Sequence, residues 1–386
     1  MIGEVAAPDG AEDHPLAPSR SYAIAAAGAV VLLAIAVRLL FFNAADFAGD
    51  ELHYAAYADR ISARGVSEFR RLAEEYASDP ERWIYPPPIR VLYMAAGAAA
   101  CRIAGSPCTD RAIAAVSLAS GIAMVVLALA MAWRMFSARV GILAGLLVAL
   151  SPLGLQLSRR ALQDEFFALP ILLAVWAFWE RSRSTRRGWD VLLGTALVAA
   201  LLTKESAFIF PLYFYGALLF PSWLTSREFP FNRSTLAAIL ASLATAGLIF
   251  LALVPDVWLL LRVHNAWLSA TETGEYVPYS QGRWFRYLVD FALISPAVTV
   301  LGVGYYFSAA REKIDGYLGR FALLLFLAFS LLPLKNLRYV SFLDPPLRIL
   351  AVLALVSMFR HPAAVRYARL GVAATVAVLA IYDLSL

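Results

Sequence analysis

Two pairs of adjacent acidic residues lie next to long apolar stretches of the sequence. Asp50 and Glu51 come shortly after the first apolar stretch, and Asp164 and Glu165 lie in a short polar turn between two later ones. A carboxylate in such a place can remove the proton from a hydroxyl group that attacks a substrate. Charged groups at this depth are costly unless they are paired or face an aqueous cavity. The two pairs are therefore candidates for acid–base chemistry.

Both acidic pairs also have a purely structural interpretation. Asp50 and Glu51 could cap the positive end of a helix in a solvated loop. Arg159 and Arg160 precede the second acidic pair and could neutralise it locally. The sequence alone leaves these alternatives open.

Basic side chains recur in the later polar segments and could bind an anion such as a phosphate. Lys204 lies in a short polar segment, residues 203–206, between apolar stretches. Lys335 and Arg338 are three positions apart. Cations of this kind stabilise the negative charge that develops on a leaving phosphate. The alternatives are a local pair between Lys204 and Glu205, and snorkelling of the later two cations to lipid headgroups.

Aromatic and further polar side chains collect in two predicted loops, residues 43–88 and 260–287. Aromatic rings there could stack on the faces of a substrate, or they could form a belt at the membrane interface. The candidates for substrate contact are His53, Tyr54, Tyr85 and Trp284 in these loops, together with Arg159 and Glu165 at the second acidic pair, and Arg283 is a further candidate for phosphate binding.

The composition identifies the elements that must position these residues. Of the 386 residues, 61% are hydrophobic and only 16% are charged. An average soluble domain is about 45–50% apolar and about 25% charged, which excludes a soluble enzyme, a disordered chain and a disulfide scaffold. Because each helical crossing needs about 20 apolar residues, we predict an all-α, polytopic transmembrane bundle with about eleven crossings.

The chain is predicted to have a cytoplasmic tail, residues 1–20, and a single transmembrane domain, residues 21–386. Segments 89–105 and 111–133 must together make one net crossing if the later segments alternate. Five arginine-rich loops then share one side, which the positive-inside rule makes cytoplasmic. They are Arg134–Arg139, Arg181–Arg187, Arg227–Arg233, Arg311–Arg320 and Arg360–Arg369.

The acidic pairs and both predicted polar loops fall on the opposite, extracytoplasmic side of this topology. The loop 43–88 is expected to form amphipathic helices that lie in the headgroup plane. Residues 1–20 lack the basic start of a cleavable signal, so the first apolar segment is expected to be an uncleaved anchor in a bacterial-type inner or plasma membrane.

The charge balance and the cysteines exclude other classes of function. The net charge of +5 is explained by the arginine-rich loops, so no nucleic-acid partner is expected. Cys101 and Cys108 lack the spacing of a redox or zinc motif. Two free thiols are favoured over a disulfide on the outer surface.

The absence of a nucleotide-binding motif narrows the choice of substrate. The sequence has no GxxxxGK[ST] segment, and nucleotide sugars are absent outside the cytoplasm. A lipid that carries a preactivated sugar on its phosphate is therefore a reasonable donor, bound among membrane lipids.

Five short motifs together resemble those of the GT-C glycosyltransferases. They are similar to relatives of the protein O-mannosyltransferases and the lipid A aminoarabinose transferases, in the same order and with approximately the same spacing across residues 20–350. The motifs are GDELHY at 49–54, YPPP at 85–88, SRRALQD at 158–164, TKES at 203–206 and KNLRY at 335–339.

The resemblance implies an inverting membrane glycosyltransferase with an extracytoplasmic active site. It would move a hexose or pentose from a polyprenyl-phosphate donor to a lipid, glycan or protein acceptor. Asp50 would be the catalytic base with Glu51 beside it, and Asp164 would be a second acid of the site. The basic residues of the later motifs would bind the donor phosphate.

The resemblance leaves the cofactor and the acceptor open. Asp50 and Asp164 could hold a divalent cation, Mg²⁺ or Mn²⁺, through their oxygen atoms, although a base needs none. Some relatives have a large C-terminal soluble domain, and this sequence has no such segment after Asp344. A transporter or flippase of a lipid-linked polar head, or a noncatalytic family member, are the alternative functions.

Overall fold

The computed structural model of the protein describes residues 20–42, 49–105, 108–220, 232–273, 281–307, 315–358 and 365–385. Across these ranges the secondary structure is helical throughout, with no strand. Most of the predicted tail 1–20 and parts of the two predicted polar loops lie outside the described residues, as do parts of three arginine-rich loops.

The helices are named here in chain order. The first ten α-helices are α1 (Arg20–Phe42), α2 (Asp50–Arg64), α3 (Glu68–Ser78), α4 (Val91–Ala104), α5 (Asp110–Met135), α6 (Ala138–Ala149), α7 (Pro152–Ser158), α8 (Asp164–Arg183), α9 (Gly188–Leu201) and α10 (Ile209–Leu219). The later ones are α11 (Arg233–Leu253), α12 (Val257–Thr273), α13 (Arg286–Ile294), α14 (Pro296–Phe307), α15 (Asp315–Ser330), α16 (Asp344–Met358) and α17 (Val365–Ser385). Short 3₁₀ helices lie at Pro80–Arg82, Glu205–Phe208 and Leu337–Leu343.

Four helical segments of the described chain are long and apolar enough to cross a membrane. They are α1, α5, α11 and the continuous segment Leu337–Met358. The bent pair α6 and α7, which meet at 58°, adds a fifth if the two helices form one broken span. The all-helical membrane fold is thus confirmed, whereas the crossing number of about eleven stays a prediction.

The length of α4 bears on the predicted net crossing of segments 89–105 and 111–133. At 14 residues, α4 reaches about 21 Å, less than the roughly 30 Å of a hydrocarbon core. Helix α5, with 26 residues, is long enough. One full crossing by α5 alone would satisfy the parity of the later segments.

The first polar loop folds into helices α2 and α3, as its amphipathic pattern predicts. Gly49, which precedes α2, has a φ of +60°, a conformation that is strained for residues with a side chain. Helix α3 buries Phe69, Leu72 and Tyr76, whereas Arg70, Arg71 and Glu74 are exposed. The loop therefore has a small core of its own.

Ion pairs connect the segments of this loop at its surface. The guanidinium of Arg60 donates to both carboxylate oxygens of Glu75 at 2.6 Å, and Arg82 donates to Glu75 at 2.9 Å. The hydrogen bonds from Arg60 are the main reason that the pKa of Glu75 falls to about 2.

Cys101 and Cys108 form a disulfide, with their Cα atoms 4.8 Å apart. The expectation of two free thiols is therefore wrong. Gly105, at the end of α4, has a φ of +93° and turns the chain after the helix, so that Cys108 comes close to Cys101. The backbone N–H of Cys108 also donates to the Asp59 carboxylate at 3.1 Å, which ties this turn to α2.

A buried charge network joins the last two helices of the chain. The guanidinium of Arg348, fully buried, donates to Asp344 at 2.9 Å and to Asp383 at 2.6 Å. It also donates to the Ser295 hydroxyl at 2.9 Å. Helices α16 and α17 are thus held together by groups that would be costly to bury alone.

We expect the disulfide to be present in the membrane-bound protein. A maleimide coupled to polyethylene glycol should modify neither cysteine in denatured membranes, and should modify both after reduction, read as gel shifts. The variant Cys101→Ser is the control, because its remaining Cys108 should react without reductant. Modification of the unreduced wild-type protein would contradict the disulfide.

The ion pairs of Glu75 should make the loop sensitive to acid. A carboxyl with a lowered pKa contributes stability above its ordinary pKa of 4.5, and this contribution is lost as the pH falls toward about 2. The unfolding temperature of wild type should therefore exceed that of Glu75→Gln at pH 6, and the difference should shrink between pH 4.5 and pH 3. A difference independent of pH would contradict the proposed cause.

Candidate active site

Asp50 begins helix α2 and meets a residue from the far end of the chain. Its carboxylate accepts a hydrogen bond from the Arg338 guanidinium at 2.8 Å, and each side chain is 27% exposed. Asn336 caps the 3₁₀ helix Leu337–Leu343 by accepting from the Arg338 N–H at 3.1 Å. Arg338 is therefore held twice, by Asp50 through its guanidinium and by Asn336 through its backbone N–H.

Asp164 and Lys204 form a second ion pair, which is almost completely buried. The Lys204 ammonium lies 2.5 Å from the Asp164 carboxylate, with side chains 5% and 3% exposed. The same ammonium lies 4.5 Å from the centre of the Tyr339 ring, in cation–π contact. Because Tyr339 follows Arg338 directly, the two ion pairs are neighbours.

The structure thus brings together four of the residues singled out in the sequence. Arg338 is hydrogen-bonded to Asp50 and also interacts electrostatically with Asp164, the partner of Lys204. These residues come from the starts of α2 and α8, the turn after α9 and the 3₁₀ helix before α16. Two acids and two cations alternate in one partly exposed cluster, called here the Asp50–Lys204 cluster.

Glu51 is fully buried and serves the loop before α8. Its carboxylate accepts from the Arg160 guanidinium at 2.8 Å and from the Ala161 backbone N–H at 2.9 Å. Arg160 therefore neutralises Glu51, and not the acidic pair that follows it in sequence. A catalytic role of Glu51 stays a prediction, and its contacts favour a role in holding the backbone beside Asp164.

Three of the cations singled out in the sequence have donor groups that could bind an anion. The Nε atoms of Arg159 and Arg338 are buried and have no hydrogen-bond partner among the described residues. Lys335, which is 5% exposed, donates to the Leu332 carbonyl at 2.8 Å. Buried donors without a partner are costly, and charge-assisted hydrogen bonds to a phosphate would satisfy them.

His53 lies one turn after Asp50 and stacks on Tyr85, with ring centres 3.7 Å apart. Burial is the main reason that the pKa of His53 is lowered, although the Asp50 charge opposes this effect. The imidazole is therefore neutral at pH 7. The two rings form an aromatic wall beside the start of α2.

Glu165 points away from the Asp50–Lys204 cluster. It is 4% exposed and lines a small cavity together with Arg38 and Asp344. Arg38 donates from there to the Ser158 hydroxyl at 3.2 Å and to the Ala149 carbonyl at 2.9 Å. The substrate contact assigned to Glu165 stays a prediction.

Arg283 and Trp284 lie just before α13 and show no contact with the cluster among the described residues. Trp284 is 58% exposed and packs edge-on against Phe285, with ring centres 5.7 Å apart. Their assignment to phosphate and sugar binding stays a prediction.

Sequence reasoning missed Arg90 and Tyr339 as parts of the site. Arg90 is 8% exposed and pairs with Glu205 at 2.9 Å, and its guanidinium also donates to the Tyr54 hydroxyl at 2.5 Å. The sequence feature that could have pointed to Arg90 is its place as a lone arginine at the start of an apolar segment, shortly after three prolines. Tyr339 belongs to the KNLRY motif, but no role was predicted for it.

The donor set was tested for a divalent cation. Within the described ranges no group of three or more His, Cys, Asp or Glu side chains is arranged to hold a metal ion. The carboxylates of Asp50 and Asp164 are each paired with a cationic side chain. They do not fit a divalent cation in this arrangement.

Comparison with solved structures identifies the architecture. ArnT from Cupriavidus metallidurans in the apo state superposes with a TM-score of 0.57 at 23% identity, covering 86% of this chain and 60% of ArnT. ArnT bound to undecaprenyl phosphate gives a TM-score of 0.57 at 18% identity, covering 93% and 64%. The Archaeoglobus fulgidus oligosaccharyltransferase tethered with an acceptor peptide gives 0.61 at 14%, covering 95% and 54%.

The fold is the GT-C fold. The resemblance stated from five motifs is thereby confirmed at the level of architecture, and the chain spans about three fifths of the length of ArnT. Residues 87–250 also match the family described as dolichyl-phosphate-mannose-protein mannosyltransferase. No curated protein sequence matches significantly. In this GT-C chain the matched segment contains Asp164 and Lys204.

Removing one partner of the buried pair should destabilise the protein strongly. Asp164→Asn leaves the Lys204 ammonium buried without a counter-charge, which costs about 3–5 kcal/mol. Thermal unfolding in detergent should show this loss, and Asp164→Asn combined with Lys204→Met should recover much of it. The exposed pair Arg70–Glu74 provides the control, because Glu74→Gln should cost less than about 1 kcal/mol. Equal unfolding temperatures for wild type and Asp164→Asn would refute the pairing.

Proposed function

We propose that this chain is an integral-membrane glycosyltransferase that transfers a sugar from a polyprenyl phosphate to an acceptor hydroxyl, with inversion. The observation that carries the proposal is the Asp50–Lys204 cluster, in which acids and cations from four distant segments meet. Two GT-C structures support the donor class, since ArnT is bound to undecaprenyl phosphate and AglB from Archaeoglobus fulgidus is in complex with a dolichol-phosphate.

Asp50 is the base in this proposal. It is partly exposed, lies at the edge of the cluster and stands next to the wall of His53 and Tyr85. The Asp50 carboxylate takes the proton of the acceptor hydroxyl as the acceptor oxygen bonds to the anomeric carbon. The bond from that carbon to the phosphate oxygen breaks, and the electron pair leaves with the lipid phosphate. A single displacement of this kind inverts the anomeric carbon.

The cations stabilise the leaving phosphate. Arg338 and Lys204 bring positive charge to within reach of the base, and the donor groups of Arg159 and Lys335 add to it. Preorganised donors in a site of low dielectric constant are worth more than the same groups in water. Asp164 keeps Lys204 charged and fixes its position.

Arg338 has two roles in this scheme, and they use different N–H groups of one guanidinium. One terminal N–H group donates to the Asp50 carboxylate at 2.8 Å, whereas Nε has no partner among the described residues. A phosphate bound at Nε would share the positive charge with Asp50 and so weaken the hold of Arg338 on the base.

We place the site on the extracytoplasmic side. The disulfide Cys101–Cys108 is tied to Asp59 of α2, the helix that begins with Asp50. Disulfides persist in oxidising compartments outside the cytosol. The arginine-rich loops favour the same orientation by the positive-inside rule. The proposed arrangement has one transmembrane domain, 21–386, behind a cytoplasmic tail, 1–20.

For the acceptor and for the sugar, we propose a chemical class. The acceptor is a lipid, glycan or protein exposed at the outer face, and the sugar is a hexose or pentose. A transporter of a lipid-linked polar head is the second candidate, because buried charges such as Arg38 and Arg348 also lie within the membrane domain. Lipid-head translocation in reconstituted vesicles without glycosyl transfer would favour it.

Replacing the base should abolish transfer and spare folding. We expect Asp50→Asn to lower transfer by about 100-fold or more, measured by mass spectrometry of glycans and glycolipids from cells with and without the variant. Glu74→Gln is the matched control, because Glu74 lies on the outer face of α3 in the same loop. Full transfer by folded Asp50→Asn would remove Asp50 as the base.

A further inference from the structure

Arg90 lies at the start of α4, and its guanidinium points away from solvent. It donates to both carboxylate oxygens of Glu205, at 2.9 Å and 3.1 Å. A third contact, 2.5 Å long, reaches the hydroxyl of Tyr54. Gln163 accepts from the same guanidinium at 2.9 Å, with its amide oriented by the surrounding hydrogen bonds. One side chain therefore forms hydrogen bonds with three separate segments, and its guanidinium also lies 5.9 Å from the centre of the Trp267 ring.

Each partner of Arg90 is a close sequence neighbour of a residue in the Asp50–Lys204 cluster. Tyr54 follows Asp50 by four positions, so the two lie on one face of α2. Gln163 directly precedes Asp164, and Glu205 directly follows Lys204. Arg90 thus holds the three backbones that carry the base, the second acid and the ammonium.

Gln163 reinforces the same connection. Its amide donates to the Tyr54 hydroxyl at 3.1 Å and to the Thr203 carbonyl at 3.0 Å. The backbone N–H of Leu92 donates to the Leu202 carbonyl at 2.9 Å, which fixes α4 to the turn that carries Lys204. Hydrogen bonds around Arg90 therefore join α2, α4, Gln163 and the turn after α9 to one another.

Arg90 also decides the partner of Lys204. Glu205 is the acidic residue next to Lys204 in sequence and would be its simplest partner. Because Glu205 is bound in a fork by Arg90, the Lys204 ammonium is left to Asp164. A planar guanidinium can bind a carboxylate with two parallel hydrogen bonds and still donate elsewhere, which an ammonium cannot do.

We propose that Arg90 is a positioning residue of the glycosyl-transfer site, which sets the placement of Asp50 and Lys204 without touching the substrate. The inference rests on the proposed function, since it assumes that these residues act on a lipid-linked sugar phosphate. A displacement of about 1 Å at a distance from the chemistry can cost about 100-fold in rate. The effect of Arg90 therefore reaches the substrate through Lys204 and Asp50.

The test uses the full chain in lipid nanodiscs and undecaprenyl phosphate as the probe. We expect Arg90→Lys to fold, because the positive charge stays beside Glu205, but to bind undecaprenyl phosphate about tenfold more weakly and to transfer sugar about 100-fold more slowly. In the background of the double variant Asp164→Asn, Lys204→Met, which removes both charges of the buried pair, Arg90→Lys should change the affinity for undecaprenyl phosphate by less than about twofold. This lost coupling separates a positioning role from direct binding.

A second variant keeps the test valid if Arg90→Lys does not fold. Tyr54→Phe removes one hydroxyl from the cluster around Arg90 and should lower transfer at least tenfold. Tyr57→Phe is its matched control, because the Tyr57 hydroxyl donates to the Pro86 carbonyl, outside the contacts of Arg90. Transfer by Tyr57→Phe should stay close to that of wild type.

The outcomes separate the two proposals. Wild-type affinity and transfer in both folded Arg90→Lys and Tyr54→Phe would overturn the positioning role alone. An effect of Arg90→Lys that is equally large in the Asp164→Asn, Lys204→Met background would also overturn it, in favour of direct phosphate contact. A wild-type protein that binds no undecaprenyl phosphate and transfers no sugar would overturn the proposed function and this inference with it.

Discussion

The site depends on the cost of burying charge away from water. The ammonium of Lys204 and the carboxylate of Asp164 are each almost completely enclosed, and neither would remain ionised there alone. Their pairing therefore forces the turn after α9 against the start of α8, 40 positions earlier. Tyr339 packs on the ammonium and brings Arg338 beside the pair, and Arg338 in turn fixes the start of α2 through Asp50. The remaining contacts of the site follow from these few charges.

The short polar segments between apolar stretches predicted which parts of the chain would meet, because a charge in such a place must find a partner. The sequence did not predict the individual pairs. Neighbours such as Lys204 and Glu205 were obvious partners, yet Lys204 is extended and Glu205 begins a 3₁₀ helix. Adjacent side chains in such a backbone point in different directions, so each charge is satisfied from another segment. The pair of Arg160 with Glu51 follows the same rule.

The all-helical architecture could be predicted from composition and apolar run length, and the amphipathic loop from its charge pattern. The crossing number could not, because α4 is short and the α6–α7 pair bends by 58°. The sequence left the disulfide as the less favoured alternative, because Cys101 and Cys108 have no recognised spacing motif. Arg90 was missed because an isolated arginine carries no pattern until its three partners are seen in space.

The contact between Arg348 and Asp383 has a practical consequence for handling the protein. Asp383 lies in the final turn of α17, and its carboxylate is almost completely buried against Arg348. Deleting or rerouting that turn would leave the guanidinium with one counter-charge fewer inside helix α16. The same helix continues directly from the 3₁₀ segment that presents Arg338 to Asp50. Any engineered change near this turn should therefore keep the Asp383 carboxylate in contact with Arg348.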